Sequence, residues 1–165
     1  MNAAELKALH ARDKWYKRIA IWFCMGMVYY PMEGLYRIPS NGGWAHISMM
    51  FVGMFCCAAA CGVLNQFKWF YKKPVIVQSA VGSCAMLVVE LLAGCILNLW
   101  LGFGIWDYSN LALNILGQVC PQFGIIWFCL MPLAIWLEDF LVYSFYRKGA
   151  YYTLWSIYYE FITLK

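Results

Sequence analysis

Charge is what this sequence has least of. Twelve basic and eight acidic residues make up only 12% of its 165 positions, where an ordinary soluble domain carries about 25%. Hydrophobic residues fill 64% of the chain and its mean hydropathy is +0.64. A soluble helical domain of this size has no place to hide so much apolar surface, so that class is excluded. Histidine is scarcer still, with His10 and His46 alone. There is no HExxH, no Ser-His-Asp set and no convincing nucleophile. A cleaved secretory leader is not expected either. Residues 1–18 (MNAAELKALHARDKWYKR) are too polar, and no small-residue cleavage site follows. The first hydrophobic helix is expected to act as an uncleaved insertion signal. The formal net charge of +4 gathers near predicted helix ends, which suits anionic lipid headgroups. No basic run is interleaved with exposed polar surface, so nucleic acid is not an expected partner.

Cysteine, by contrast, is plentiful. Cys24, Cys56, Cys57, Cys61, Cys84, Cys95, Cys120 and Cys129 all fall inside or beside apolar runs, and no loop carries a spaced pair. Their expected role is packing. A disulfide between neighbouring helices is one alternative. A metal site at Cys56, Cys57 and Cys61 is another, but the spacing matches no common zinc pattern. No metal and no cofactor is expected.

The informative stretch is 90–122. Glu90, Gly94 and Asn98 recur in steps of four within ELLAGCILNLW, which puts all three on one helix face. Asn110, Asn114, Gln118 and Gln122 repeat the step. An acid and a ladder of amides in so apolar a sequence mark a polar centre inside a membrane protein, because a carboxylate in a bilayer must face protein or water.

The expected fold is an all-α polytopic bundle, a single transmembrane domain over 1–165. Four spans are predicted at about 19–35, 46–67, 75–101 and 118–138. An amphipathic helix over 2–18 precedes them on the membrane surface, with His10 solvated. Pro31 is expected to kink or complete the first span, with Glu33 at its outer rim or paired with Arg37. IPSNGGWA then reads as a turn. In the second span Gly53, Cys57, Cys61 and Asn65 form a small-residue packing face, and His46 caps the helix or meets water at the outer surface. Lys68, Lys72 and Lys73 anchor the next loop. Asp107 is expected to cap a short re-entrant or interfacial helix over 109–116. Pro121 and Pro132 suggest a bent or locally open fourth span. The aromatic tail, 150–165, reads as an interfacial helix or a flap over the inner face of the bundle. Basic residues on one side, with Arg37 alone on the other, place both termini in the cytoplasm of a cell that carries the protein in its inner or plasma membrane.

ELLAGCILN followed by WDYSNLALNILGQVC resembles the type IV ABC-transporter permease family of bacterial membrane proteins, to which small vertebrate transmembrane proteins are similar. The resemblance lies mainly in 90–136. Family members show an acid, a glycine and an asparagine spaced like Glu90, Gly94 and Asn98. Their WDYSN and GQ elements match Trp106, Asp107, Tyr108, Ser109 and Asn110, and Gly117 with Gln118. Many have proline where this chain has Ala112, a departure that loosens the turn. The buried acid, the amide ladder and the proline-broken fourth span, together with the resemblance, point to a permease or transport subunit whose substrate or ion pathway runs past Glu90, Asn98, Asp107, Asn110, Asn114, Gln118 and Gln122. Gly94, Trp106, Tyr108, Ser109 and Gly117 would shape it. No GxxxxGK[ST] loop is present, so ATP hydrolysis would belong to a separate ATPase subunit. Four spans are few for a solitary carrier, which implies a homodimer, a higher oligomer or another membrane subunit among the lipids. A non-catalytic interaction or sensor module is the first alternative. An intramembrane enzyme acting on lipid is the second, if Glu90 and Asp107 approach each other as acid and base.

Overall fold

The computed structural model describes residues 3–41, 44–64, 67–147 and 151–164. Among the described residues five helices make up the architecture: α1 Ala3–Asn41, α2 Ser48–Val63, α3 Val75–Trp100, α4 Pro121–Tyr146 and α5 Leu154–Thr163. A single helical turn, Lys68–Tyr71, sits between α2 and α3. Among the described residues there is no strand, only an isolated bridge between Ile115 and Val119. By length and composition α3 and α4, of 26 residues each, can cross a membrane, and α2 is a shorter apolar helix. At about 1.5 Å per residue either long helix exceeds a hydrocarbon core of about 30 Å.

The first helix continues past Pro31, as expected, and also takes in residues 38–41, where the sequence reads as a turn. α1 runs unbroken through Pro31 and Pro39 as far as Asn41. Proline removes one intrahelical hydrogen bond, and here the segment beyond it is held from outside. Arg37 pairs with Glu33 at 2.6 Å and donates to the Ile105 carbonyl at 2.5 Å. α1 also packs closely along α2. Tyr29 lies against Gly53 and Trp22 against Gly62, so that a Cβ on either glycine would collide with an aromatic ring. The small-residue face thus brings α1 and α2 together. Cys56, Cys57 and Cys61 are buried in the core with Ile21, Met25 and Met131, and all eight cysteines are free. Asn65, the fourth member of the predicted face, lies outside the described residues, as do residues 148–150 and the side chains of residues 3–15.

The contacts at the helix ends fix the order of directions. At one end Arg18 donates to the Gly62 carbonyl at 3.1 Å, and the Tyr146 hydroxyl donates to the Lys17 carbonyl at 3.3 Å. At the other end Arg37 meets Ile105, and Trp44 packs edge-on against Tyr30. α1 to α4 therefore alternate in direction. Lys17, Arg18, Lys72, Lys73 and Arg147 gather at the first end and Arg37 stands at the second.

α4 begins at Pro121 and continues to Tyr146, where the sequence pattern places it at 118–138. Cys120 is extended, with φ −150° and ψ 159°, and Pro121 occupies the first helical turn, where its missing N–H costs nothing. The helix passes through buried Pro132 and stops at Arg147, which is left-handed at φ 52°. α5, expected as an interfacial helix or a flap over the inner face of the bundle, packs against α4. Thr153 caps it, and it turns back along α4. Trp136 donates to the Tyr152 carbonyl at 3.1 Å, the Tyr158 hydroxyl donates to the Cys129 carbonyl at 3.0 Å, and Phe161 meets Phe128. Ile157 is buried, whereas Trp155 and Ile162 face outward.

Candidate functional site

Residues 101–120 close the second end of the bundle as an irregular loop. Gly102 and Gly104 start it with positive φ, +69° and +57°, a conformation that side chains disfavour. Asn98, in a wide final turn of α3, clamps it. Its Oδ1 accepts from the Ile105 N–H at 2.7 Å, and its Nδ2 donates to the Trp106 carbonyl at 3.0 Å and to Gln118 Oε1 at 2.7 Å. The Trp106 indole donates to the Gln118 carbonyl at 3.0 Å. Trp106 and Gln118 are both buried. One turn below Asn98, Gly94 leaves room for this arrangement: a Cβ there would lie 2.5 Å from Gln118 Oε1.

The outer half of the loop is also held by side chains. Asp107 Oδ1 accepts from the Ser109 N–H at 2.8 Å and its hydroxyl at 2.5 Å. Asn114 donates to the Leu111 carbonyl and accepts from the Gly117 N–H. Gly117, at φ +68°, brings its carbonyl to the Tyr108 N–H at 2.7 Å.

This geometry corrects three expectations. The predicted helix over 109–116 does not form, because Asp107 and Asn114 bond to backbone groups in ways that compete with a helix. Asp107 therefore caps a turn. Asn110, Asn114, Gln118 and Gln122 do not share a helix face, since the first three lie in the loop. Asn110 and Gln122 are exposed. Gln118 reaches Asn98 from the loop and not from a facing helix.

Glu90 lies beneath this clamp, 4% exposed. Its Oε1 accepts from the Tyr108 hydroxyl at 3.4 Å and its Oε2 from the Trp127 indole at 3.2 Å. From the loop Tyr108 bonds Glu90, while Asn98 and Gln118 bond each other above it. Trp127 on α4 escaped the sequence reading, as did the approach of Tyr29 and Glu33 on α1 to the same cavity, although the pairing of Glu33 with Arg37 was expected. Glu33 accepts from Tyr29 at 2.9 Å and from Arg37. A tryptophan within an apolar helix was the available signal, because a buried indole N–H usually finds an acceptor.

Glu90 and Glu33 line one cavity of about 220 Å³ with Tyr29, Tyr36, Tyr108 and Trp127. Burial, and then the charge of Glu90, raise the Tyr108 phenol above its ordinary pKa, so it stays a neutral donor. Asp107 is elsewhere, exposed on the loop. The Ser109 hydroxyl and N–H hold its carboxyl below the ordinary range. Glu90 and Asp107 do not meet as an acid and base pair.

Residues 20–164 match the family described as Putative ABC-transporter type IV. This chain belongs to that family. The match takes in α2, α3, α4 and α5 and most of α1, so the relationship extends well beyond 90–136. No curated protein and no solved structure matches the chain. Within this type IV family member, the acid, glycine and asparagine of α3 occupy three levels of one face: Glu90 at the cavity, Gly94 beneath Gln118, and Asn98 at the clamp.

Proposed function

We propose that this chain is a membrane transport subunit that crosses the bilayer four times, through α1 to α4, with both termini in the cytoplasm. The observation that carries the proposal is Glu90: a carboxylate buried on an apolar helix, held by two neutral donors, on the wall of a cavity. Inserting a charged carboxylate at mid-helix costs about 2.5–3.5 kcal/mol on insertion scales, and such groups mark substrate and ion pathways. Membership of an ABC-transporter-type family supports the same reading. The crowding of basic residues at one end of the bundle supports the orientation.

Glu90 is the group a passing substrate meets. Asn98 and Gln118 position the loop over it, and Asp107, Asn110, Asn114 and Gln122 belong to the outer approach. Energy comes from a separate ATPase subunit, and the working assembly contains at least two copies of this chain. Purification from native membranes in a mild detergent tests this. An ATP-hydrolysing subunit should co-purify in fixed ratio with a dimer of the chain. A fixed partner without ATPase activity would replace the transport reading with that of an interaction or sensor module.

A further inference from the structure

The Glu90 cavity opens sideways between α1 and α4. Met32 and Ile126 on its rim are 44% and 42% exposed, on faces that meet lipid if the helices cross a bilayer. Its walls are aromatic. Tyr108 stacks on Phe123 with ring centroids 4.3 Å apart, Tyr29 tilts against Trp127 at 5.8 Å, and Tyr36 stands edge-on to Phe123 at 6.2 Å. Two carboxylates look into this enclosure. Glu33 is paired with Arg37, whereas the donors to Glu90 are a phenol and an indole. With both acids ionised, Glu33, Arg37 and Glu90 together carry one net negative charge. A second, almost wholly apolar cavity adjoins the first. It shares Tyr29, Met32, Trp127 and Leu130 and continues along the α1/α4 groove past Met25, Met131 and Leu137.

We propose that this groove binds a single-chain amphiphile with an organic cation as its head. The cationic head lies among the rings against Glu90 and Glu33, the first methylenes enter the apolar continuation of about 70 Å³, and the rest of the chain leaves over the exposed rim at Met32 and Ile126. Aromatic faces attract cations through their quadrupoles, and rings arranged as a cage suit quaternary ammonium groups. A hard metal ion would demand a shell of six or more oxygens, and aromatic residues make up half of this lining. The net charge selects against anions, and the apolar extension selects for a tail. The inference rests on reading the Glu90 cavity as the face a substrate meets, and it names the chemistry of that substrate.

The test is native mass spectrometry of the purified full-length protein released from nanodiscs, titrated with hexadecyltrimethylammonium, tetramethylammonium and hexadecyl sulfate in parallel. One saturable equivalent of hexadecyltrimethylammonium should bind. Tetramethylammonium should bind roughly tenfold more weakly or worse, and hexadecyl sulfate should show no saturable site. Glu90→Gln should weaken the cationic amphiphile by roughly tenfold. Tyr36→Leu, at a position more than half exposed and safe for folding, should weaken it measurably. Equal binding of the sulfate, equal binding of tetramethylammonium, or wild-type binding in both variants would overturn the proposal. If the amphiphile fails to bind while an ATPase still co-purifies, the ligand chemistry is wrong and the transport reading stands. If it binds and no ATPase is found, the site stands without that reading.

Discussion

The Trp127 indole on α4 reaches the Glu90 carboxylate on α3 across 3.2 Å, tying the two long apolar helices together through one buried polar contact. Removing either partner has a distinct consequence. Trp127→Phe leaves Glu90 with the 3.4 Å contact to Tyr108 alone, and should destabilise the fold by about 1–3 kcal/mol. Glu90→Leu strands two donors and should cost a similar amount. Glu90→Gln retains an acceptor and should melt close to wild type. Thermal melts in one detergent compare all three, and a Glu90→Leu protein as stable as wild type would contradict the assignment.

Gly94 makes a steric prediction. A Cβ there falls 2.5 Å from Gln118 Oε1, so Gly94→Ala should push Gln118 off its bond with Asn98. The expected loss is about 1–3 kcal/mol, in the range of an overpacked core. The variant paired with Gln118→Ala should lose much less than the sum of the two singles, because the collision is then gone. Full additivity in the melts would argue against the clamp.

Asp107 carries a pH prediction in the loop. Its folded carboxyl lies below the ordinary range because Ser109 stabilises the charged form. The stability it contributes is thus present above the unfolded value, about 3.9, and is lost as pH falls through the lower folded value. Carbon-13 NMR of labelled aspartate should show one low titration, and Ser109→Ala should move it up towards about 3.9. A wild-type midpoint already at the ordinary value would contradict the turn geometry.

Much of this was legible in the sequence, for identifiable reasons. Glu90 and Gly94 lie on a regular helix and Asn98 on its wider final turn, so a spacing of four still translated into nearly one face. The same spacing misled at Asn110, Asn114 and Gln118, because bonds from Asp107 and Asn114 to the backbone replace the helix there. Pro39, in the stretch that reads as a turn, was misleading for a different reason. The contact that holds this end of α1 comes from Ile105, far along the chain. Trp127 and Glu33 could not be assigned to Glu90 without knowing which helices adjoin, and the lateral groove between α1 and α4 depends wholly on that packing.

Orientation is tested by introduced cysteines in a background with the eight native ones replaced. Cysteine at Lys73 or Trp155 should be shielded from an impermeant thiol reagent in intact cells and should react in inverted vesicles. Cysteine at Asn110 should do the reverse. Labelling at residue 73 but not 110 in intact cells would invert the proposed topology.

The central claim is that Glu90 faces a substrate pathway, and Glu90→Cys in the same cysteine-replaced background tests it most directly. A small, charged, membrane-impermeant thiol reagent should modify residue 90 in the folded, membrane-embedded assembly, and supplying ATP to the complete complex should change the rate of modification from one side. Complete protection from both sides, and from a small membrane-permeant thiol reagent as well, with reaction only after the protein is unfolded, would make Glu90 a packed structural acid and contradict the account.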